Sequence, residues 1–289
     1  MSFREKWLTA VEKKNSVLCA GLDPAEFEMG RGEKGLPEGA SKLGWALRYV
    51  EAVAPHCAAI KYNIQYWKGE DDAKTLAQIG KLAHNLGMVV IDDSKLADIG
   101  ETNDAGIFYA KKRGADAVTY SPFPGNIEEA AKQAKARDIG IISMCLMSNS
   151  EYEAEKNKLV RIPNQDVLVY DSESVFSFQG EGYVRQYLKL ALDSERFGID
   201  AIVIGAPSKK NHIKEEEIAK VRNLVSENML VLLPGVGAQG GEAQAIWKYF
   251  GKDNVIVNVG RDLMFPKEIS QAETARNYQK MLNSLRQQK

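Results

Sequence analysis

Asp93, Lys95 and Asp98 follow one another closely at the end of Met88–Ile91, a run apolar enough to be buried. Side chains at i and i+2 of a strand share a face, so Asp93 and Lys95 are expected to point the same way. Asp98 follows where the strand gives way to a loop. Charges of alternating sign beside a buried run are costly unless they neutralise one another. Two arrangements meet that condition. One is an ion-paired strand end at the surface. The other is a catalytic array at the mouth of a parallel sheet, with a lysine held between carboxylates as cation and proton donor. Other strand-like runs also end in polar groups: Asp23 closes Ser16–Asp23, and Lys61 and Asn63 close Ala58–Asn63.

A second constellation lies far along the chain. Pro234-Gly235-Val236-Gly237-Ala238-Gln239-Gly240-Gly241 matches the dinucleotide pattern G-x-G-x-x-G after an apolar run, with Asp262 further on. That fingerprint belongs to the first βα turn of its domain, however, and here it follows a late strand. The better account is a phosphate site built from glycine-exposed backbone N–H groups. Gln239 is a side-chain donor there, and Arg261, beside Gly260, supplies a planar cationic fork. The residues alone therefore point to a phosphorylated small molecule.

The elements that must position these groups alternate. Phe3, Trp7, Leu8 and Val11 recur at helical spacing, and Ser16–Asp23 reads as the first strand. Residues 26–39, rich in glycine, read as an exposed loop. Helices over 40–53, 72–86, 102–113 and 127–137 alternate with strands at Ala58–Asn63, at the run leading to Asp93, at Ala117–Pro122 and at Ile139–Leu146. Strands at Ala201–Ala206, Leu230–Gly235 and Val255–Arg261 follow, then a helix over 270–286. Eight strands alternating with helices predict a single (β/α)₈ TIM barrel over residues 1–289. The surplus length falls after the fifth strand, as an insertion at about 147–198 in which Leu159–Ile162 and Val167–Tyr170 are expected to form a hairpin. In such a barrel the strand ends meet at one mouth, which brings Lys61, Asp93 and Lys95 together.

Composition excludes several classes. With 38 Lys+Arg against 39 Asp+Glu, the chain has no electrostatic footprint for nucleic acid or an anionic membrane. Three scattered cysteines give no disulfide framework, and the three histidines show no metal-ligand spacing. No apolar run approaches a membrane span, and the charged, amphipathic N-terminus is not a signal peptide, so a cytoplasmic protein is expected.

Taken together, the motifs resemble orotidine 5'-phosphate decarboxylase. Asp93-Ser94-Lys95-Leu96-Ala97-Asp98-Ile99 is similar to that family's D-x-K-x-x-D-I signature. Gly21-Leu22-Asp23-Pro24, Lys61, the 234–241 segment and Val259-Gly260-Arg261 accompany it in the family's order, and the large insertion resembles the longer bacterial branch. Two departures stand out. Gly100 replaces a common proline, which should loosen that turn, and Met147-Ser148-Asn149-Ser150 stands where many members have Ser-x-Pro-Gly.

The resemblance implies cofactor-free, metal-free conversion of orotidine 5'-monophosphate to UMP in pyrimidine biosynthesis. It makes Lys95, Asp93, Lys61 and Asp98 catalytic, and Asp23, Ile99, Thr102, Ser148, Pro234, Gln239, Gly260 and Arg261 substrate-binding. It also implies a homodimer in which Asp98 and Thr102 reach the partner's site. Two rivals share parts of this pattern. A Mg²⁺-dependent sugar-phosphate lyase of the same superfamily would place a carboxylate where Lys61 stands, a lysine that would repel the ion. A non-catalytic phosphate-binding barrel would have no use for the full Asp93–Lys95–Asp98 set.

Overall fold

The computed structural model describes residues 1–209, 211–236 and 242–288. Local chemistry sets many of the element boundaries. Ser2 caps α1 (Phe3–Lys14) with a reciprocal pair of bonds, its hydroxyl accepting from the Glu5 amide and the Glu5 carboxylate from the Ser2 amide. Ser41 caps α2 (Lys42–Val53), and Ser270 caps the last helix, α11 (Gln271–Gln287), in the same hydroxyl-to-amide manner. Between these lie α3 (Asp72–Asn85), α4 (Gly100–Lys112), α5 (Ile127–Ala136), α6 (Tyr152–Lys156), α7 (Gln186–Arg196), α8 (Glu215–Leu224), α9 (Gln244–Trp247) and α10 (Arg261–Met264).

The strands are β1 (Leu18–Gly21), β2 (Ala59–Asn63), β3 (Val89–Leu96), β4 (Ala117–Tyr120), β5 (Gly140–Leu146), β6 (Leu159–Ile162), β7 (Phe176–Phe178), β8 (Glu181–Arg185), β9 (Ala201–Ile204), β10 (Leu230–Leu233) and β11 (Val255–Val259). Eight of them close into a parallel barrel in the order β1-β11-β10-β9-β5-β4-β3-β2. Strands β1, β4, β9 and β10 are buried throughout, as strands covered on both faces by barrel interior and helices must be. The predicted TIM barrel is therefore the observed fold. Helix α1 covers its N-terminal end, where Lys6 pairs with Asp116 at 2.9 Å and the Trp7 indole donates to the Asp253 carbonyl at 2.8 Å. The opposite, C-terminal mouth receives the charged strand ends.

The segment between β5 and β9 differs from its expected form. Leu159–Ile162 does not pair with 167–170. It pairs antiparallel with β8, which also pairs with β7, making a three-stranded sheet outside the barrel. Residues Asn164–Val169 instead form a 3₁₀ helix, begun after Pro163 and held by buried Asp166, whose carboxylate takes both terminal nitrogens of Arg196 at 2.7 and 3.0 Å. An ion pair to a residue thirty positions away decides this turn, and local apolar patterning does not report it. Helix α7, counted within the expected 147–198 insertion, packs against β5 and α8 as a helix of the outer ring.

Strand β3 carries the main irregularity of the barrel. Asp92 pairs with Val118, but the next partners are Leu96 and Tyr120, so the register shifts between them. Lys95 lies in this bulge with φ 49°, so strand alternation does not aim its side chain. Helix α4 begins at Gly100 rather than Thr102, and Gly100 has φ 52°. A proline ring excludes that angle, so this glycine builds a different turn rather than a loosened one.

Asp92, fully buried, anchors the outer side of β3. It accepts from Arg113 Nη2 at 2.5 Å and Nε at 3.1 Å, and from the Tyr62 hydroxyl at 3.1 Å. Removing one partner of a buried pair leaves an uncompensated charge. Arg113→Ala is accordingly expected to destabilise the fold by ~3–5 kcal/mol, read from urea unfolding. A loss below ~1 kcal/mol would show the pair to behave like an exposed one.

Candidate active site

Asp93 is the centre of the mouth. One carboxylate oxygen accepts from Lys61 Nζ at 2.5 Å; the other accepts from Lys95 Nζ at 2.6 Å and from the Thr119 hydroxyl at 2.9 Å. Thr119 in turn accepts from the Lys95 amide at 2.8 Å, which fastens the bulge to β4. The backbone register places Asn63 opposite Asp93, bringing Lys61 within reach. Lys61, Asp93 and Lys95 are thus gathered as the strand ends predicted.

The two lysines differ in exposure. Lys61 and Asp93 are 5% and 7% exposed, whereas the Lys95 side chain is 47% exposed. Lys95 is the cation a ligand in the mouth can reach. Burial by itself would raise the Asp93 pKa, but the charges of Lys61 and Lys95 outweigh it and hold the carboxyl well below its ordinary range. Burial would likewise depress Lys61, yet the charges of Asp93 and then Asp23 drive it upward. Lys61 and Asp93 are therefore both charged near neutral pH.

Beside the array lies a cavity of about 550 Å³ whose walls include Asp23, Pro234, Gly260 and Arg261. Asp23 orders the rim, its carboxylate accepting from the Asn63 amide at 2.8 Å. Asp23 also connects the two regions, since its charge is felt at Lys61. The cavity holds additional cations that sequence reading missed, Arg31 and Lys34 from the loop after β1. Their loop was read only as exposed linker, because no local pattern shows it folding back towards Arg261. The buried Asn258 Oδ1, without a partner among the described residues, belongs to the same wall. Thr119 was also missed, although a lone polar residue inside the apolar β4 run was a usable signal.

The remaining predicted residues sit apart. Asp98, Ile99 and Thr102 are exposed on the rim, Ile99 at 62%. Asp98 does not meet Lys95 within the chain; its carboxylate accepts from the Ile99 amide at 2.9 Å. Ser148 is half-buried in the chain after β5 and packs against Gly205 rather than lining the cavity. Gln239, with Gly237 and Gly240 of the glycine motif, lies outside the described residues. The three cysteines are buried and unbridged, and burial pushes Cys19 and Cys145 up to about 12. No helix among the described residues is long and apolar enough to cross a membrane.

Fold and site together define a (β/α)₈-barrel enzyme with a Lys–Asp–Lys array at its mouth. The sequence profile of the "Orotidine 5'-phosphate decarboxylase / HUMPS family" matches residues 16–278. A Natronomonas pharaonis orotidine 5'-phosphate decarboxylase is 31% identical over 275 residues, 93% of this chain and 90% of its own. One from Ralstonia pickettii is 31% identical over 252 residues, covering 85% and 82%. Among solved structures, Leishmania donovani OMP decarboxylase shares the fold with a TM-score of 0.74 at 21% identity, covering 99% of both chains. The Methanocaldococcus jannaschii orotidine 5'-monophosphate decarboxylase, solved with the inhibitor BMP, gives 0.62 at 23%, covering 92% and 98%. The chain belongs to the orotidine 5'-phosphate decarboxylase family.

The depressed pKa of Asp93 has a signed consequence for stability. An unfolded aspartate takes up its proton near pH ~3.9, while the folded one resists until well below that. Its contribution is therefore complete above pH ~5 and is lost as pH falls through and below ~4. The difference in unfolding free energy between the wild type and Asp93→Asn should narrow as pH falls from about 5 into acid. Urea titrations across this range measure it, and a gap that widens in acid would reverse the assignment.

Proposed function

We propose that this chain decarboxylates orotidine 5'-monophosphate to UMP, in pyrimidine biosynthesis, without a metal or cofactor. The observation that carries the reading is the half-exposed Lys95 ammonium held 2.6 Å from the buried Asp93 carboxylate. When the C6–carboxylate bond breaks, its electron pair stays on C6 as CO₂ leaves. Lys95 stabilises that charge and then donates a proton to C6, and its exposure lets solvent restore the proton. Asp93 faces the departing carboxylate, a repulsion relieved as CO₂ forms. Lys61, buried against the other Asp93 oxygen, keeps that carboxylate ionised and fixed.

The phosphate is held at the far side by Arg261, with Pro234 and Gly260 completing the pocket; Gln239, outside the described residues, is assigned to the same phosphate by its place in the motif. Arg31 and Lys34 add positive charge to it. Remote binding energy of this kind can be used at the reacting carbon. Asp23 contacts the ribose, and Ser148, after β5, contacts the pyrimidine. The metal-dependent alternative is disfavoured by Lys61, whose buried ammonium occupies the place where a divalent cation would need a carboxylate.

The active form is a homodimer with composite sites. Asp98, Ile99 and Thr102 cluster exposed at the rim, and Asp98 has no contact with the array of its own chain. Across a two-fold axis these residues would enter the partner's mouth, with Asp98 beside Lys95 and the ribose.

Loss of orotidine 5'-monophosphate absorbance should proceed equally with and without EDTA. Lys95→Ala should abolish nearly all of it while UMP still binds. Retention of more than about a tenth of kcat, a change of only ~1.4 kcal/mol in barrier, would exclude Lys95 as the main charge stabiliser. The composite site is tested by mixing inactive Lys95→Ala and Asp98→Ala dimers under subunit exchange. Random pairing puts both lesions in one site of each mixed dimer, so roughly a quarter of wild-type activity should return. Mixed dimers verified by mass spectrometry yet inactive would show both residues serving one site from one chain.

A further inference from the structure

We infer that His212 is a positioning residue for pyrimidine recognition, acting through the main chain next to Ser148. The inference rests on the reading that Ser148 contacts the base. The two segments concerned follow neighbouring barrel strands, β5 and β9. Beyond the strands, the Gly205 amide still donates to the Leu146 carbonyl at 2.8 Å. Contact there is so close that a Cβ on Gly205 would lie 2.6 Å from Ser148 Cβ and 2.8 Å from Ile213 Cδ1. Glycine at 205 is what lets the Ser148 segment settle against this wall.

Past that contact, the hold passes to His212. Its Nε2 lies 3.0 Å from the carbonyl of Asn149, the residue after Ser148. A carbonyl only accepts, so the imidazole carries its proton on Nε2 and donates. The turn bearing His212 is braced from within by Asn211, whose Nδ2 donates to the Ala206 carbonyl at 2.8 Å and whose Oδ1 accepts from the Ile213 amide at 3.1 Å. It is braced from outside by Lys156, buried at the end of α6, which donates to the His212 carbonyl at 2.7 Å and pairs with Glu217 at 2.7 Å. Tyr152, on the same short helix, donates to the Cys145 carbonyl at 2.6 Å. Two segments are thus locked to each other at both ends, with Ser148 between the locks.

With Ser148 on the base, this arrangement acts on the base side of the substrate and not on the phosphate side. The Asn149 carbonyl needs only one donor, and a glutamine amide can supply it. His212→Ala should therefore weaken competitive inhibition by UMP and raise KM for orotidine 5'-monophosphate, while inhibition by ribose 5-phosphate, which has no base, stays unchanged. The expected loss is roughly 3- to 10-fold, the worth of one neutral hydrogen bond. His212→Gln should restore most of it. Equal weakening of UMP and ribose 5-phosphate would mean a general structural role and would overturn the inference, as would an unchanged UMP constant in His212→Ala. Ser148→Ala, measured in parallel, separates the two failures. A loss for Ser148→Ala without one for His212→Ala overturns the clasp alone, and a loss for neither overturns the base contact together with the clasp.

Discussion

A buried carboxylate shared by two ammonium groups governs this mouth. Asp93 cannot be placed at the end of a buried strand without compensation, and Lys61 from the neighbouring strand supplies it at 2.5 Å. That pairing leaves the second oxygen for Lys95, which stays half exposed and chemically available. Lys95 makes this contact from within the β3 bulge, where the register shifts and its backbone is left-handed. Thr119 holds the bulge from β4, bonding both the Asp93 carboxylate and the Lys95 amide. Three adjacent strands thus cooperate to keep one cation in place.

The barrel supports this array by separating its two ends. The N-terminal end is closed by α1 and by neutralised polar groups such as Asp116, which takes Lys6, His84 and the Val90 amide. The outer side of β3 has its own compensated charge, Asp92 with Arg113, distinct from the inward Asp93. Adjacent aspartates on one strand therefore do opposite jobs, one bracing the barrel wall and one facing the mouth. Alternation of side chains across a strand makes that division possible.

Much was legible in the residues themselves. The eight apolar runs, their alternation with helical spacings, and polar groups at run ends specify a parallel barrel with a charged mouth, because each signal is local and repeated. Lys61, Asp93 and Lys95 could be brought together from topology, since consecutive strands of a barrel are neighbours. Less visible were Arg31 and Lys34, whose importance depends on which loop folds over which strand end, and nothing within a few residues of them reports it.

The sequence by itself determined the barrel, the charged strand ends and the family, since periodicity and ordered motifs depend on near neighbours along the chain. Tertiary structure alone decided which charges pair. The i, i+2 rule brought Asp93 and Lys95 together on paper, but a register shift and a left-handed Lys95 do so in the folded chain. The 159–170 hairpin failed for the same kind of reason, because Asp166 is bound by Arg196 and β6 finds its partner at Glu181–Arg185. Asp98 stands away from the lysine it flanks in the motif, exposed at the rim. Pairing energies between groups distant in sequence are set by burial and geometry, which only the closed barrel establishes.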